Sequence, residues 1–386
     1  MQVLHSLLSM ELGRVLLIDD ADCDIGLPTP VDDHFIYEHG VMMPPGVAAQ
    51  SSNFLLTTIH IVRQVAPLFK MLHSPSISPK ALSMFDGHFA ASMEAFPPNC
   101  QINNQSSLDP RHLHLICHLQ NIKLVLHRHN LSTACAPDVR AAALDACVAA
   151  SRDTVTLLHR VMQWSSHDHS NGQQTWKGAL VASATAMLCT HIWRCTLFLV
   201  YRGFYAEAVT CIQFSSAIGE ARAVNQACGR YLHGFLVYLL EKLQKGENVD
   251  NDEALLAIVS GDEQGSTESS WIWTGSETGT ALNNGPHSDY ENGVDGNKQP
   301  GNESNGDRPQ DSSSISLSPE QARDWGGWPN IEWMLQSLVQ RRENMAMGGM
   351  NNNSHPGSST NGISGTSTPA ASGSGGASRI SIPNII

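Results

Sequence analysis

The sequence is poor in basic residues: 23 Lys and Arg stand against 36 Asp and Glu, for a formal net charge of -13. A chain this acidic is repelled by a phosphate backbone and gains nothing from counterion release, so it reads as a poor binder of nucleic acid by itself. The densest basic cluster late in the chain is only Arg341 and Arg342. Paired cysteines are lacking too. The nine cysteines are scattered, and none shows the two-residue gap of a zinc knuckle. Their odd number, and an N-terminus without a basic n-region, point to free thiols in a reducing compartment. No long apolar run is unbroken: the longest, 179–201, carries His191 and Arg194. A membrane span needs roughly 20 mostly apolar residues without such a break, so a buried core helix is expected there. Nucleophilic and phosphate-binding signatures are absent as well. There is no Gly-x-Ser-x-Gly elbow and no glycine-rich turn before Lys-Ser or Lys-Thr.

What is present is helical periodicity. Hydrophobic residues make up 41% of the chain, and most lie before about residue 259. One sizeable core followed by polar segments therefore fits better than two full domains. Leu4, Leu7, Leu8 and Leu12 follow helical spacing, as if the chain began inside an element. An irregular loop is expected over 13–48, punctuated by glycine and proline. Helices are expected over 51–72, with Pro67 as a kink or boundary, then 79–95 and 110–129, the last with a stripe of Leu115, Leu119, Ile122 and Leu126. The next begins at Pro137 with Asp138 in its first turn and carries Ala143, Cys147, Ala150, Thr154, Leu157 and Val161 on one face. Further helices are expected over 175–201, 204–218 and 220–245. The division is 1–246 as an all-α bundle, 247–318 as an acidic polar linker, 319–346 as a short Trp-containing amphipathic helical segment, and 347–386 as a disordered tail.

Three constellations bear on chemistry. Asp20, Asp22 and Asp24 are spaced like the first ligands of a calcium loop. However, the sixth and twelfth positions hold Ile25 and Val31 instead of glycine and glutamate, so the oxygen cage does not close. His114 and His118 are four apart and share a helix face, but no third metal ligand accompanies them. Five of the eight tryptophans lie in the last third of the chain: Trp271, Trp273, Trp325, Trp328 and Trp333. Disordered linkers are usually poor in aromatics. Either these islands dock back onto the helical body or they recruit a partner, and docking is the favoured reading.

Several stretches together resemble a known family. GRVLLIDDADCDIGLPTPVDDHFI (13–36) resembles the loop in the middle homology region of fungal zinc-cluster transcription factors. There a helix leads into Gly-Arg-Pro, then Asp-x-Asp, then Leu-Pro-x-Pro. The matching positions are Gly13, Arg14, Asp20, Asp22, Asp24, Leu27, Pro28 and Pro30, with Val15 in place of the proline. MEAFPPNC (93–100) is similar to the family's Trp-x-x-x-Leu-Pro segment, with Phe96 at the leucine. LHLICHLQNIKLVLHRHNLS (113–132), from Leu113 to the His127–Arg128–His129 run, resembles its Leu-x-x-x-Tyr helix. CAPDVRAAALDACVAASRDTVTLL (135–158), with Cys147 and Ala149, resembles the helix that follows. The Asp-Cys-Asp, Trp-Ile-Trp and Trp-Gly-Gly-Trp features are similar to the nitrogen-utilisation coactivator branch.

The resemblance covers roughly 1–245. It implies an irregular all-α regulatory domain, incomplete at its N-terminus, and a role in RNA polymerase II transcription in the nucleus. Its body would hold back an activating tail and would contact the transcription machinery or other regulators, with room for a homodimer. The family's six-cysteine zinc cluster is absent from this sequence. DNA contact is therefore expected only through a missing cluster or a partner, with no cofactor in this chain, no catalytic residues and no membrane. The alternatives are a helical metal-dependent enzyme using His114 and His118, and an interaction scaffold without transcriptional output.

Overall fold

The computed structural model describes residues 35–42, 58–59, 61–63, 65–72, 74–165, 175–249, 252–260 and 325–350. Within them the architecture is all-α, apart from a two-stranded antiparallel hairpin, β1 (Ile36–Tyr37) and β2 (Gly40–Val41). That hairpin falls inside the span expected to be irregular. Helix α1 is Val65–Leu72, with Pro67 in its first turn, where the missing N–H is not needed.

Prolines and short polar caps set the next starts. Ser78 accepts from Ala81 N and opens α2 (Pro79–Glu94), and Asp109 accepts from Arg111 N and opens α3 (Pro110–Arg128). Helix α4 (Pro137–Met162) begins at a proline with Asp138 in its first turn, where a negative charge suits the helix dipole. Helices α3 and α4 run antiparallel, since Leu108 N bonds Arg160 O at one end and Cys147 Sγ reaches Leu124 O nearer the other. The small-then-large face of α4 is buried along its whole length, including Ala143, Cys147, Leu157 and Val161.

One expected helix is two. The 175–201 span divides into α5 (Trp176–Ser183) and α6 (Ala186–Tyr201), bent by 112°. No proline or glycine marks the break. The Thr185 side chain caps α6 by accepting from Leu188 N, and Arg222 Nε donates to the freed Ala184 carbonyl at 2.7 Å. Every residue of α6 from Met187 to Tyr201 is buried. It is the central rod, packed by α3, α4 and the later helices α8 (Ala223–Gln244) and α9 (Glu253–Ser260), with α7 (Tyr205–Ile218) alongside. Among the described residues no single helix is long and apolar enough to cross a membrane; α5 and α6 pass that test only as a bent pair.

Helix α8 (Ala223–Gln244) follows α7 through a turn in which Asn225 Nδ2 donates to the carbonyls of Ser215 and Gly219, both at 2.8 Å. The linker boundary then needs correction. Residues 253–260, assigned above to the polar linker, form α9 (Glu253–Ser260), and its Leu255, Ile258 and Val259 are core residues. Asp252 caps α9, Lys242 Nζ binds that cap at 2.8 Å, Arg140 pairs with Glu253, and Arg128 donates to Ser260 O at 2.6 Å. Helix α10 (Gly327–Met350) begins inside the 319–346 span and runs past its end. The chain divides into two units, Met1–Arg341 and Arg342–Ile386. Helix α10 as far as Arg341 thus belongs to the same unit as the body.

Candidate functional site

The most distinctive arrangement on this bundle is the seat of α10 on α8. Gly229 lies on the α8 face turned toward it. A Cβ placed there would stand 2.6 Å from the Trp325 ring and 3.1 Å from the Trp328 ring. Both are shorter than ordinary carbon–carbon contact, so only a glycine lets the two indoles settle against the α8 backbone. The rings meet edge to face, 5.3 Å between centroids and 88° between planes, which suits their quadrupoles. The entry to α10 is a hook. Gly326 and Gly327 both have positive φ, 70° and 73°, a region that side-chain-bearing residues rarely adopt. Asn330 Nδ2 closes the hook by donating to Trp325 O at 3.0 Å.

Beyond the pair, Ile331, Leu335 and Leu338 continue the buried face at helical spacing, with Met334 beside them. Arg341 donates at 2.9 Å to Leu243 O, a carbonyl at the C-terminal end of α8 that also accepts from Gly246 N at 3.3 Å. Trp325 beside Gly229 and Arg341 beside Leu243 mean that α10 runs parallel to α8. Gln213 of α7 faces Glu332 at 3.5 Å.

The seat holds one mismatch and one projection. Trp328 Nε1 is buried without a hydrogen-bond partner, an arrangement that costs free energy relative to a solvated indole. Trp333 is 65% exposed and points away from the seat, whereas Trp325 and Trp328 are only 7% and 5% exposed. The three tryptophans thus divide into two that pack within the chain and one that faces solvent. Trp271 and Trp273 lie outside the described residues, as do Gly13, Arg14, Asp20, Asp22, Asp24, Leu27, Pro28 and Pro30.

The remaining sequence candidates are dispersed. Leu113 and Cys147 are core residues, and Ala149 is on the exposed side of α4. His127 Nε2 lies 3.0 Å from the Asp86 carboxylate. Burial opposes ionisation of Asp86, but the hydrogen bond and charge of His127, helped by Lys123, hold its carboxyl below the usual range. Arg128 is spent on α9. His114 and His118 each keep a buried Nδ1 without a hydrogen-bond partner. Burial, with His114 nearby, pulls His118 down to about 3, so it is neutral at neutral pH. Among the described residues no three His, Cys, Asp or Glu side chains are arranged to hold a metal ion.

The described cysteines are free and buried, and burial pushes Cys100 up to about 11 and Cys195 up to about 12. A metal-binding or nucleophilic thiol needs the opposite shift. Behind α6, the Thr154 hydroxyl donates to Ala150 O and sits 3.0 Å from His191 Nε2. The same Nε2 lies 3.6 Å from Cys195 Sγ, and His191 Nδ1 is buried without a hydrogen-bond partner. A small cleft of about 190 Å³ is lined by Met93, Glu94, Gln101, Ile102, Asn103 and Asp153. Burial pushes the Asp153 carboxyl up, against the charges of Lys123 and Arg152.

Sequence reasoning singled out the aromatics of the seat but missed its floor. Gly229 sits in an ordinary amphipathic stretch, and its role depends on rings about 100 residues later. No family model, curated protein or solved structure matches this chain.

Proposed function

We propose that this chain is the regulatory, effector portion of a fungal zinc-cluster type transcription regulator. It acts in the nucleus through contacts with the transcription machinery or other regulators, and it meets DNA only through a cluster elsewhere or a partner. The motif resemblance set out above motivates the assignment. The observation that carries the effector role is the α10 seat, where a distant aromatic segment is held on the body by side-chain packing while Trp333 faces outward. Net charge supports a protein partner over nucleic acid. Two packings of one chain separated by a few kcal/mol are enough for a regulator.

The test tethers the full chain to a heterologous DNA-binding domain beside a reporter in a fungal host. Severalfold activation or repression is expected, and residues 261–386 tethered alone should give stronger activation than the full chain. A reporter indifferent to both would remove the transcriptional reading and leave the scaffold. Equal output from the two would remove only the idea that the body restrains the tail.

A further inference from the structure

We infer that the groove on α8 around Gly229 is an exchangeable helix-docking site whose resident occupant is the Trp325–Arg341 segment of the same chain. Three observations carry this. The contact is a side-chain dock: two indoles in a glycine notch and one arginine on a helix-end carbonyl, with Ile331, Leu335 and Leu338 buried between them along α10. The seat is imperfect, because Trp328 Nε1 enters it without a hydrogen-bond partner and regains one in water on leaving. The occupant is also remote in sequence. The stretch 261–324 separates it from α9, so its departure removes no residue from α3 to α9.

Release changes the chemistry of two surfaces together. It bares an apolar groove on α8, and it frees a helix with Trp328, Ile331 and Leu335 on one side and Trp333 on the other. Such a helix matches helix-in-groove recognition, in which aromatic and aliphatic anchors at i, i+3 and i+7 enter a partner's apolar cleft. That release serves regulation rests on the reading above; that the helix exchanges does not.

Hydrogen exchange on the full chain tests it. Amides of 331–341 should exchange at least about tenfold faster than those of 188–200 in α6. Gly229→Leu should speed the α10 amides about tenfold further while α6 protection stays within about threefold. A labelled peptide of sequence 325–341 should bind the Trp325→Ala/Trp328→Ala full chain and fail to bind the Gly229→Leu chain. The inference is overturned if α10 and α6 exchange at one rate in the wild-type chain, or if the peptide does not bind the double variant. Neither result depends on the reporter, so a silent reporter with an exchanging helix sinks only the transcriptional reading.

Discussion

Arg160 shows how much structure one buried side chain organises. Its guanidinium donates to three carbonyls of the 97–106 turn: Ser106 O at 2.8 Å, Asn99 O, and Gln101 O at 2.7 Å, the last of which also accepts from Asn104 N. Arg160→Met should therefore lower stability by about 2–4 kcal/mol. Arg160→Lys should recover less than half of that, because one ammonium cannot match a planar fork. Urea unfolding of both variants is the check. His118 and His191 make a second prediction at this scale. Burial holds each at about 3, against about 6.5 in an unfolded chain. Between those values the unfolded chain binds the extra proton, so stability is complete above pH 6.5 and falls as pH drops toward 3. Each contributes about 1.4 kcal/mol per pH unit, so from 6.5 to 5 the two remove at most about 4 kcal/mol. Urea midpoints at pH 7.5 and pH 5 should differ accordingly, and His118→Gln should shrink the difference. An unchanged difference in that variant would mean that His118 is protonated in the folded chain.

Among elements, α9 was hidden from sequence reasoning and α2 to α4 were not. Prolines 79, 110 and 137 each stand at a helix start, and long periodic faces follow them, so local chemistry alone announces those helices. Helix α9 is eight residues long, too short for period counting, and is held by Arg128 and Arg140 from more than 100 residues away and by nearby Lys242. The same reason hid the break between α5 and α6, where Arg222 takes a carbonyl that a continuous helix would have used itself. Leu255→Ala should cost about 2–4 kcal/mol, as for any fully buried leucine, although it stands in a stretch that reads as linker. Glu253→Ala should cost less than about 1 kcal/mol, since that carboxylate is largely exposed. Equal losses at the two positions would mean that charge, and not burial, anchors α9.

At the scale of the whole molecule, the fold class and the central place of α6 were legible because both follow from composition and apolar run length. The seat was legible in part. Tryptophans late in a polar region signal packing, but which helix receives them is set by Gly229, and a glycine inside a helix carries no such message by itself. The motif loop of 13–36 lies almost wholly outside the described residues, so the acidic positions of the resemblance have no structural account. A measurement suited to this scale is thermal unfolding of Gly229→Leu. Loss of α10 from its seat, with the body intact, should leave the main transition in place and add an earlier change in tryptophan fluorescence. One shared transition at a lower temperature would make α10 a full member of the cooperative core.

The distance along the chain from Gly229 to Trp325, about 100 residues, also sets an order of events on the ribosome. At about 5–20 residues per second, translation leaves the notch open for roughly 5–20 s after α8 has been made. For that interval the nascent chain carries an uncovered apolar strip beside an otherwise complete helical body. A cell that makes this protein must therefore cover the strip with a chaperone or translate quickly past it, and a premature stop between the two would leave it uncovered for good.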